Sequence, residues 1–279
     1  MALTINTNAY SLTAQRNLAS TQSSLATSMQ RLSSGLRINT AQDDAAGLAI
    51  AERLNSQIKG MNVAIRNAND GISMAQVADG TASQISDNLQ RMRELAVQAS
   101  NGSYASADRD NLQTEFTALS NEITRVASAA KFNNISLANA AGTVSYQIGA
   151  GTASYNQISL TTVDLQASGA GMAVDTAVVS INGSAATNSL AAIAALDTAI
   201  NAVTTARAGY GAFLNRANAA VSNLQNSVMN QSAARGRITD TDFATETANL
   251  SRSQILQQAG TAMLAQANAM PNNVLSLLK

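Results

Sequence analysis

The sequence predicts a mainly α protein: a long antiparallel helical coiled-coil rod with paired terminal helices and a small tip containing a β-hairpin. Three observations carry this. Apolar residues recur at every third or fourth position over most of the chain, the spacing of one helix face. The one proline in 279 residues is Pro271, so almost no segment is barred from a long helix. Apolar residues make up 46%, but aromatics only 3%, with no Trp. Ala, Leu, Ile, Val and Met supply the rest, and they suit close helix–helix contact better than a thick globular core.

The first helix is expected over residues 10–36, where Leu18, Leu25 and Leu32 stand seven apart on one narrow stripe. Gly35 and the stretch Arg37–Thr40 interrupt it. Thr40-Ala41-Gln42-Asp43 fits a capping box, with Thr40 accepting from first-turn amides and Asp43 reaching back to the Thr40 amide. Asp43 and Asp44 would also meet the positive end of a helix dipole, worth ~0.3–1 kcal/mol each. Capping therefore accounts for this acidic pair without a catalytic role.

The next stripe runs from Leu54 through Ile58, Met61, Ile65, Ala68, Ile72, Ala75, Ala78, Ala82, Ile85, Leu89 and Met92 to Ala96. The step Ile72–Ala75–Ala78 repeats a three, which shifts the seam slightly. Asn101-Gly102 stops the pattern. A helix of this length would reach roughly 85 Å, too long for a compact domain of this size. A second helix from about Ser106, with Leu112, Phe116, Leu119, Ile123 and Val126 on its seam, should fold back antiparallel until "KFNN" ends it.

The character changes from about residue 133 to 188. Val144, Tyr146 and Ile148 alternate with polar residues, as do Ile158 and Leu160 after a Gly-rich turn, which reads as a β-hairpin. Residues 166–188 are rich in Gly, Ala and Ser and read as an exposed tip with one candidate strand at Val178–Ile181. Helical spacing returns from Ile193 to Val228 with Arg207 as a polar position in the seam, and "ARGRITDTDF" breaks it. Thr239-Asp240-Thr241-Asp242 repeats the S/T-x-x-D pattern of the first joint, and a last helix passes Leu250, Leu256 and Met263 toward Leu275 and Leu278. The expected divisions are 1–40 with 240–279 as paired ends, 41–190 as the outgoing rod with its β region about 134–182, and 191–239 as the return.

Composition excludes several functions. Seventeen basic and seventeen acidic residues give zero formal charge, with no basic stripe for nucleic acid and little to oppose self-association. There is no Cys and no His, so thiolate chemistry, the usual general base and the HExxH zinc site are all excluded. No cofactor, metal or catalytic residue is expected. The start "MALTINTNAYSLTAQRNL" lacks the charged and apolar regions of a secretory signal, and no run approaches 18 apolar residues. Composition alone therefore points to the cytoplasm, with no membrane insertion.

The terminal segments carry Leu and Met stripes too narrow for self-contained cores. They could pair within one chain as a plain two-stranded coiled coil. Apolar helices that cannot satisfy themselves also satisfy each other in assemblies, and the width of these stripes favours assembly.

The first ~135 and last ~90 residues resemble bacterial flagellin. The resemblance is carried by "INTNAYSLTAQRNL", "RLSSGLRINTAQDDAAGLAIAERL", "NDGISMAQVADG", "LQRMRELAVQASNG", "RITDTDFATE" and "QILQQAGTAMLAQANAMPNNVLSLL", in this order at both ends. It implies a structural subunit polymerising into the flagellar filament and serving motility. Terminal helices would line an inner tube, with Leu18, Leu25, Leu32, Leu256, Met263, Leu275 and Leu278 as assembly contacts, and the long helices would form an outer tube. Gly35, Arg37, Thr40, Asp43, Asp44, Thr239 and Asp242 would form the joint between tubes, with Gly35 and Arg37 turning the chain. The resemblance replaces the cytoplasmic reading with an extracellular one, reached by type III export without a cleaved signal. The implied partners are the chain itself, a secretion chaperone gripping the C-terminal helix, the filament cap and the hook–filament junction proteins. "LQRMRELAVQ" matches the segment sensed by the vertebrate flagellin-sensing Toll-like receptor, which assigns Gln90, Arg91 and Leu95, with Glu115 on the next helix, to that contact.

Two neighbouring readings share some of these features. A hook–filament junction protein has the same terminal design, but "QDDAAGLAIA" and "NNVLSLL" favour the filament subunit. A secreted coiled-coil adhesin leaves the matched joints unexplained.

Overall fold

The computed structural model describes residues 7–169, 172–183 and 186–276, with side chains as far as Met270. Five helices carry it: α1 (Ala9–Ser34), α2 (Ala45–Ala99), α3 (Ser106–Ala129), α4 (Thr187–Thr239) and α5 (Phe243–Ser276). Two antiparallel strand pairs lie between α3 and α4, namely β1 (Lys131–Phe132) with β2 (Ile135–Ser136) and β3 (Gly142–Gln147) with β4 (Gln157–Thr162). The chain divides into two compact units, residues 57–229 and the combined termini 1–56 and 230–279.

In the 57–229 unit most of the long α2 stripe is buried as its spacing required, while Ile65 and Ile72 are half-buried. Ile85, Leu89, Met92 and Ala96 are fully covered, together with Phe116 and Ile123 of α3 and Leu196, Val203 and Tyr210 of α4. The buried arc is wider than one seam. Met74 and Leu95, each beside a seam alanine, are also covered, both within the core that α2 shares with α3, α4 and the β3–β4 hairpin. The ion pairs Arg93–Asp197 (2.7 Å) and Arg207–Asp79 (2.9 Å) show α2 and α4 to be antiparallel, since the number falls on one helix as it rises on the other. Arg207 is thus an exposed ion-pair partner rather than a seam residue. Ala206 fills the seam in its place. An 18-residue window in α4 reaches a mean hydropathy of 1.3, the level of a spanning helix. Of that window 33% is buried within the structure, and Ala192, Leu196, Ala199, Val203 and Ala206 of α4 lie in this core.

Arg109, near the start of α3, is almost wholly buried. Its guanidinium donates to the carbonyls of Ala99 (2.9 Å), Gly183 (3.1 Å) and Asn101 (3.2 Å). The cation sits at the negative end of the α2 dipole and occupies carbonyls that a helix C-terminus leaves without partners.

"KFNN" does more than end a helix. Asn133 and Asn134 both adopt positive φ, 45° and 67°, so they make the tight turn of the β1–β2 hairpin. The expected hairpin is β3–β4, pairing Val144 with Leu160 and Tyr146 with Ile158. Ile158 and Leu160 are buried in the helical core, and the Tyr146 ring meets Phe213 at 5.8 Å. Gly71 of α2 makes room for that pair, since a Cβ there would come within 3.1 Å of both rings.

The segment after β4 differs from the expected exposed tip. Leu165, Met172, Val174 and Ile181 are buried in the same core. No strand forms at Val178–Ile181: the Val178 and Val179 amides both donate to the Asp175 carbonyl (2.8 Å) in a turn, and Ser189 of α4 donates to the Ile181 carbonyl (3.2 Å). Gln113 Oε1 accepts from the Ile181 amide (2.7 Å) and Ser120 donates to the Val174 carbonyl (3.3 Å).

Candidate functional site

Within the unit of combined termini, α1 and α5 lie side by side and antiparallel. Asn8 accepts from the Ser11 amide (3.1 Å) to start α1, and its amide group donates to the Ala267 carbonyl (2.7 Å). Ser11 donates to Asn268 (2.7 Å), while Arg31 faces Glu246 at 3.9 Å toward the other end. Leu18, Leu25 and Leu32 are half-buried along α1. On α5 the stripe is barely covered: Leu256 is 51% exposed and Met263 64%. Tyr10, Leu18, Leu256, Met263, Ala267 and Met270 line an open apolar groove along the pair. Leu12, Met29 and Ile255 add further exposed apolar surface. α5 is continuous through Pro271. The side chain of Leu275 and the whole of Leu278, both expected assembly residues, lie outside the described residues.

The two joints are built into one another. Gly35 ends α1 in the left-handed region (φ 72°), its amide donating to the Arg31 carbonyl (2.8 Å). The chain then forms an antiparallel bridge, Leu36 opposite Asp240, with Arg37 N donating to Thr239 O (2.7 Å) and Thr241 N to Gly35 O (3.0 Å). The Arg37 side chain donates to the Ile238 carbonyl (2.7 Å) at the C-terminus of α4, a favourable place for a cation. Gly35 is therefore the residue that turns the chain, and Arg37 clasps the returning helix.

The capping assignments are shifted from expectation. Asp43 does reach back, its Oδ2 accepting from the amides of Thr40 (2.9 Å) and Asn39 (3.1 Å), but this closes a turn ahead of the helix. Thr40 is not the cap; its hydroxyl donates to Asp43. α2 begins four residues later, where Asp44 accepts from the Gly47 amide (2.9 Å). At the second joint α4 runs unbroken through Arg235 and Gly236 to Thr239, whose hydroxyl donates back to Arg235 O (3.0 Å). Asp242 starts α5, accepting from the Ala244 amide (3.0 Å) and the Thr245 hydroxyl (2.8 Å). The Thr40 and Asn39 amides hold the Asp43 carboxyl below its ordinary range, and the Thr245 hydroxyl, followed by the Ala244 amide, does the same for Asp242. Ser34, Asn39 and Asp240 were not singled out by the sequence. Ser34 accepts from Leu36 N (3.1 Å) and Asn39 Nδ2 (2.8 Å); the serine beside a helix-ending glycine was its only signal.

Gln90, Arg91 and Glu115 are exposed on α2 and α3, and Arg91 holds both Glu115 (2.9 Å) and Glu94 (2.8 Å). Leu95 is only 1% exposed and belongs to the core. The four residues therefore do not share one surface.

The terminal helices are joined by a backbone bridge and leave an apolar face open to solvent, a surface of the kind found on assembly proteins. Residues 5–143 match the family described as the bacterial flagellin N-terminal helical region, and residues 193–278 match its C-terminal helical region. The chain belongs to the bacterial flagellins, the structural subunits that polymerise into the extracellular flagellar filament; it is not an enzyme. It is 42% identical to a flagellin of Halalkalibacterium halodurans over 99% of both chains. It is 35% identical to polar flagellin A of Vibrio parahaemolyticus over all of both chains, in an alignment of 375 positions. That alignment is longer than this chain, so the Vibrio protein carries sequence this one lacks. The crystal structure of Bacillus cereus flagellin is 30% identical, with a TM-score of 0.49 over 61% of this chain and 94% of that one.

Proposed function

We propose that within the filament the α1/α5 pair forms the inner layer and packs against the same pair of neighbouring subunits, with the 34–44 and 239–242 joints as the connection to an outer layer. One observation carries this reading: Leu12, Ile255, Leu256 and Met263 are each more than half exposed on the terminal helices, beside the apolar groove of Tyr10, Leu18 and Met270, while on α4 only Leu190 and Met229 among the described large apolar residues are so exposed. A monomer gains nothing by presenting such surface to water, and its burial against further copies is the favourable outcome. The residue bounds 1–40, 41–190, 191–239 and 240–279 describe these layers.

Membership of the flagellin family supports a proposed route of delivery as well. The subunit leaves the cell through the flagellar type III apparatus without a cleaved signal, held by a chaperone on its C-terminal helix. It is added beneath the filament cap, on a base of hook–filament junction proteins.

Seeded assembly followed by sedimentation tests the layer assignment. Chains lacking 1–40 or 240–279 should remain soluble yet keep most of the helical signal of the 57–229 unit. Assembly that survives loss of both ends contradicts it.

A second reading concerns the exposed face of α2 and α3. The Arg91–Glu115 pair supports recognition of this face by the flagellin-sensing Toll-like receptor through Gln90, Arg91 and Glu115. Leu95 is assigned to packing. Arg91→Ala should weaken receptor activation without lowering the unfolding midpoint, and unchanged activation removes the reading.

A further inference from the structure

The methionines among the described residues divide into two sets, buried and exposed. Met61, Met74, Met92 and Met172 are buried, and Met74 also accepts a hydrogen bond from the Tyr146 hydroxyl (2.6 Å). Met263 (64% exposed) and Met270 (40%) lie in the apolar groove along α1 and α5. Met29 and Met229 are exposed outside that groove. A thioether is the one apolar side chain here that a mild oxidant converts into a polar group.

We propose that Met263 and Met270 are a redox-sensitive modification site, and that oxidising them in the free subunit blocks its addition to a filament. The proposal rests on the reading of the α1/α5 groove as the surface covered by other subunits. The oxidant class is a peroxide. One peroxide oxygen is transferred to sulfur, so an S–O bond forms and the O–O bond breaks. Sulfur is oxidised by two electrons, the peroxide is reduced, and one water leaves for each hydrogen peroxide consumed. The sulfoxide must then be desolvated against leucine, alanine and tyrosine side chains where the thioether was at home. Since burying one such polar group without a partner costs more than a factor of ten in an equilibrium, seeded growth should fall by about tenfold or more. Subunits already in the filament have these sulfurs covered, so the modification acts on subunits before they are added.

The test treats full-length monomer with hydrogen peroxide, removes the peroxide with catalase, and adds sheared untreated filament ends. Growth is followed by light scattering, and each methionine is mapped by peptide mass spectrometry. The expected result is sulfoxide at Met263 and Met270, thioether retained at Met61, Met74, Met92 and Met172, and lost growth. The M263L/M270L chain should keep growing after the same dose, while M229L stays as sensitive as the parent. As a check independent of oxidation, M263Q/M270Q should grow poorly with no peroxide at all. Undiminished growth of parent chains carrying both sulfoxides overturns the proposal, as does equal loss in M263L/M270L or full growth of M263Q/M270Q. If the untreated parent fails to extend seeds, the assembly reading itself falls and takes this proposal with it.

Discussion

Leu36 and Asp240 lie opposite one another in an antiparallel bridge, flanked by the Arg37–Thr239 and Thr241–Gly35 backbone hydrogen bonds. Residues about two hundred positions apart thus form one structural element. The exit from α1 and the entry to α5 are set together, so the two terminal helices are positioned as a pair.

Gly35 should be the least replaceable residue of this element. At φ 72° any L side chain pays for left-handed backbone, so Gly35→Ala should cost about 1 kcal/mol. Amide exchange should quicken in α1 and α5 and stay unchanged in α3. A variant with unchanged exchange would show that the turn tolerates other conformations.

The shifted caps separate two neighbouring residues by role. Asp44→Ala should destabilise the start of α2 by about 1 kcal/mol, the usual loss of an N-cap. Thr40→Val, which removes one exposed hydroxyl bond, should leave the Ala45–Leu48 amides as protected as before. Thermal unfolding and amide exchange on both variants check the order.

Acid should loosen both joints. Asp43 and Asp242 have folded pKa values below their ordinary 3.8, so their contribution is fully present above that value and is lost as pH falls through the lower folded values. Protection factors, with exchange corrected for its intrinsic pH dependence, should fall at residues 39–43 and 242–246 as pH drops below 3.8. Asp43→Asn and Asp242→Asn should each flatten that dependence locally.

Arg109 should prove structural although it is charged. Replacing it by Leu leaves the Ala99, Asn101 and Gly183 carbonyls without their donor, at a cost of about 1–3 kcal/mol. Urea unfolding should show a lowered midpoint with an unchanged slope.

Much of this architecture could be read in advance where one physical signal dominated. The α2 stripe with its one shift at Ile72–Ala78, the start of α3 and the Val144–Leu160 hairpin each follow from one dominant period. Elsewhere two signals overlapped. Thr-x-x-Asp can place its helix after the threonine or after the acid, and here neighbouring amides hold Asp43 in a turn, which leaves Asp44 as the cap. Leu95 was assigned to a receptor contact by resemblance alone, whereas the packing of further helices on α2 buries it beside the seam residue Ala96. Residues 165–181 carry no period at all. Their apolar side chains are buried in the core shared with α2, α3 and α4, and their backbone is held by Gln113, Ser120 and Ser189, partners that the local sequence does not announce. The half-covered ends were visible as narrow stripes, but which residues stay open depends on where α1 and α5 touch.

The most direct test of the account is electron microscopy of full-length protein seeded with sheared filament ends, beside the Leu256→Asp/Met263→Asp variant, with circular dichroism confirming that its helices are retained. Long uniform tubes from the parent and none from the folded variant are predicted. Tubes of equal length from both would show that the open stripe of α5 is not the surface on which the filament is built.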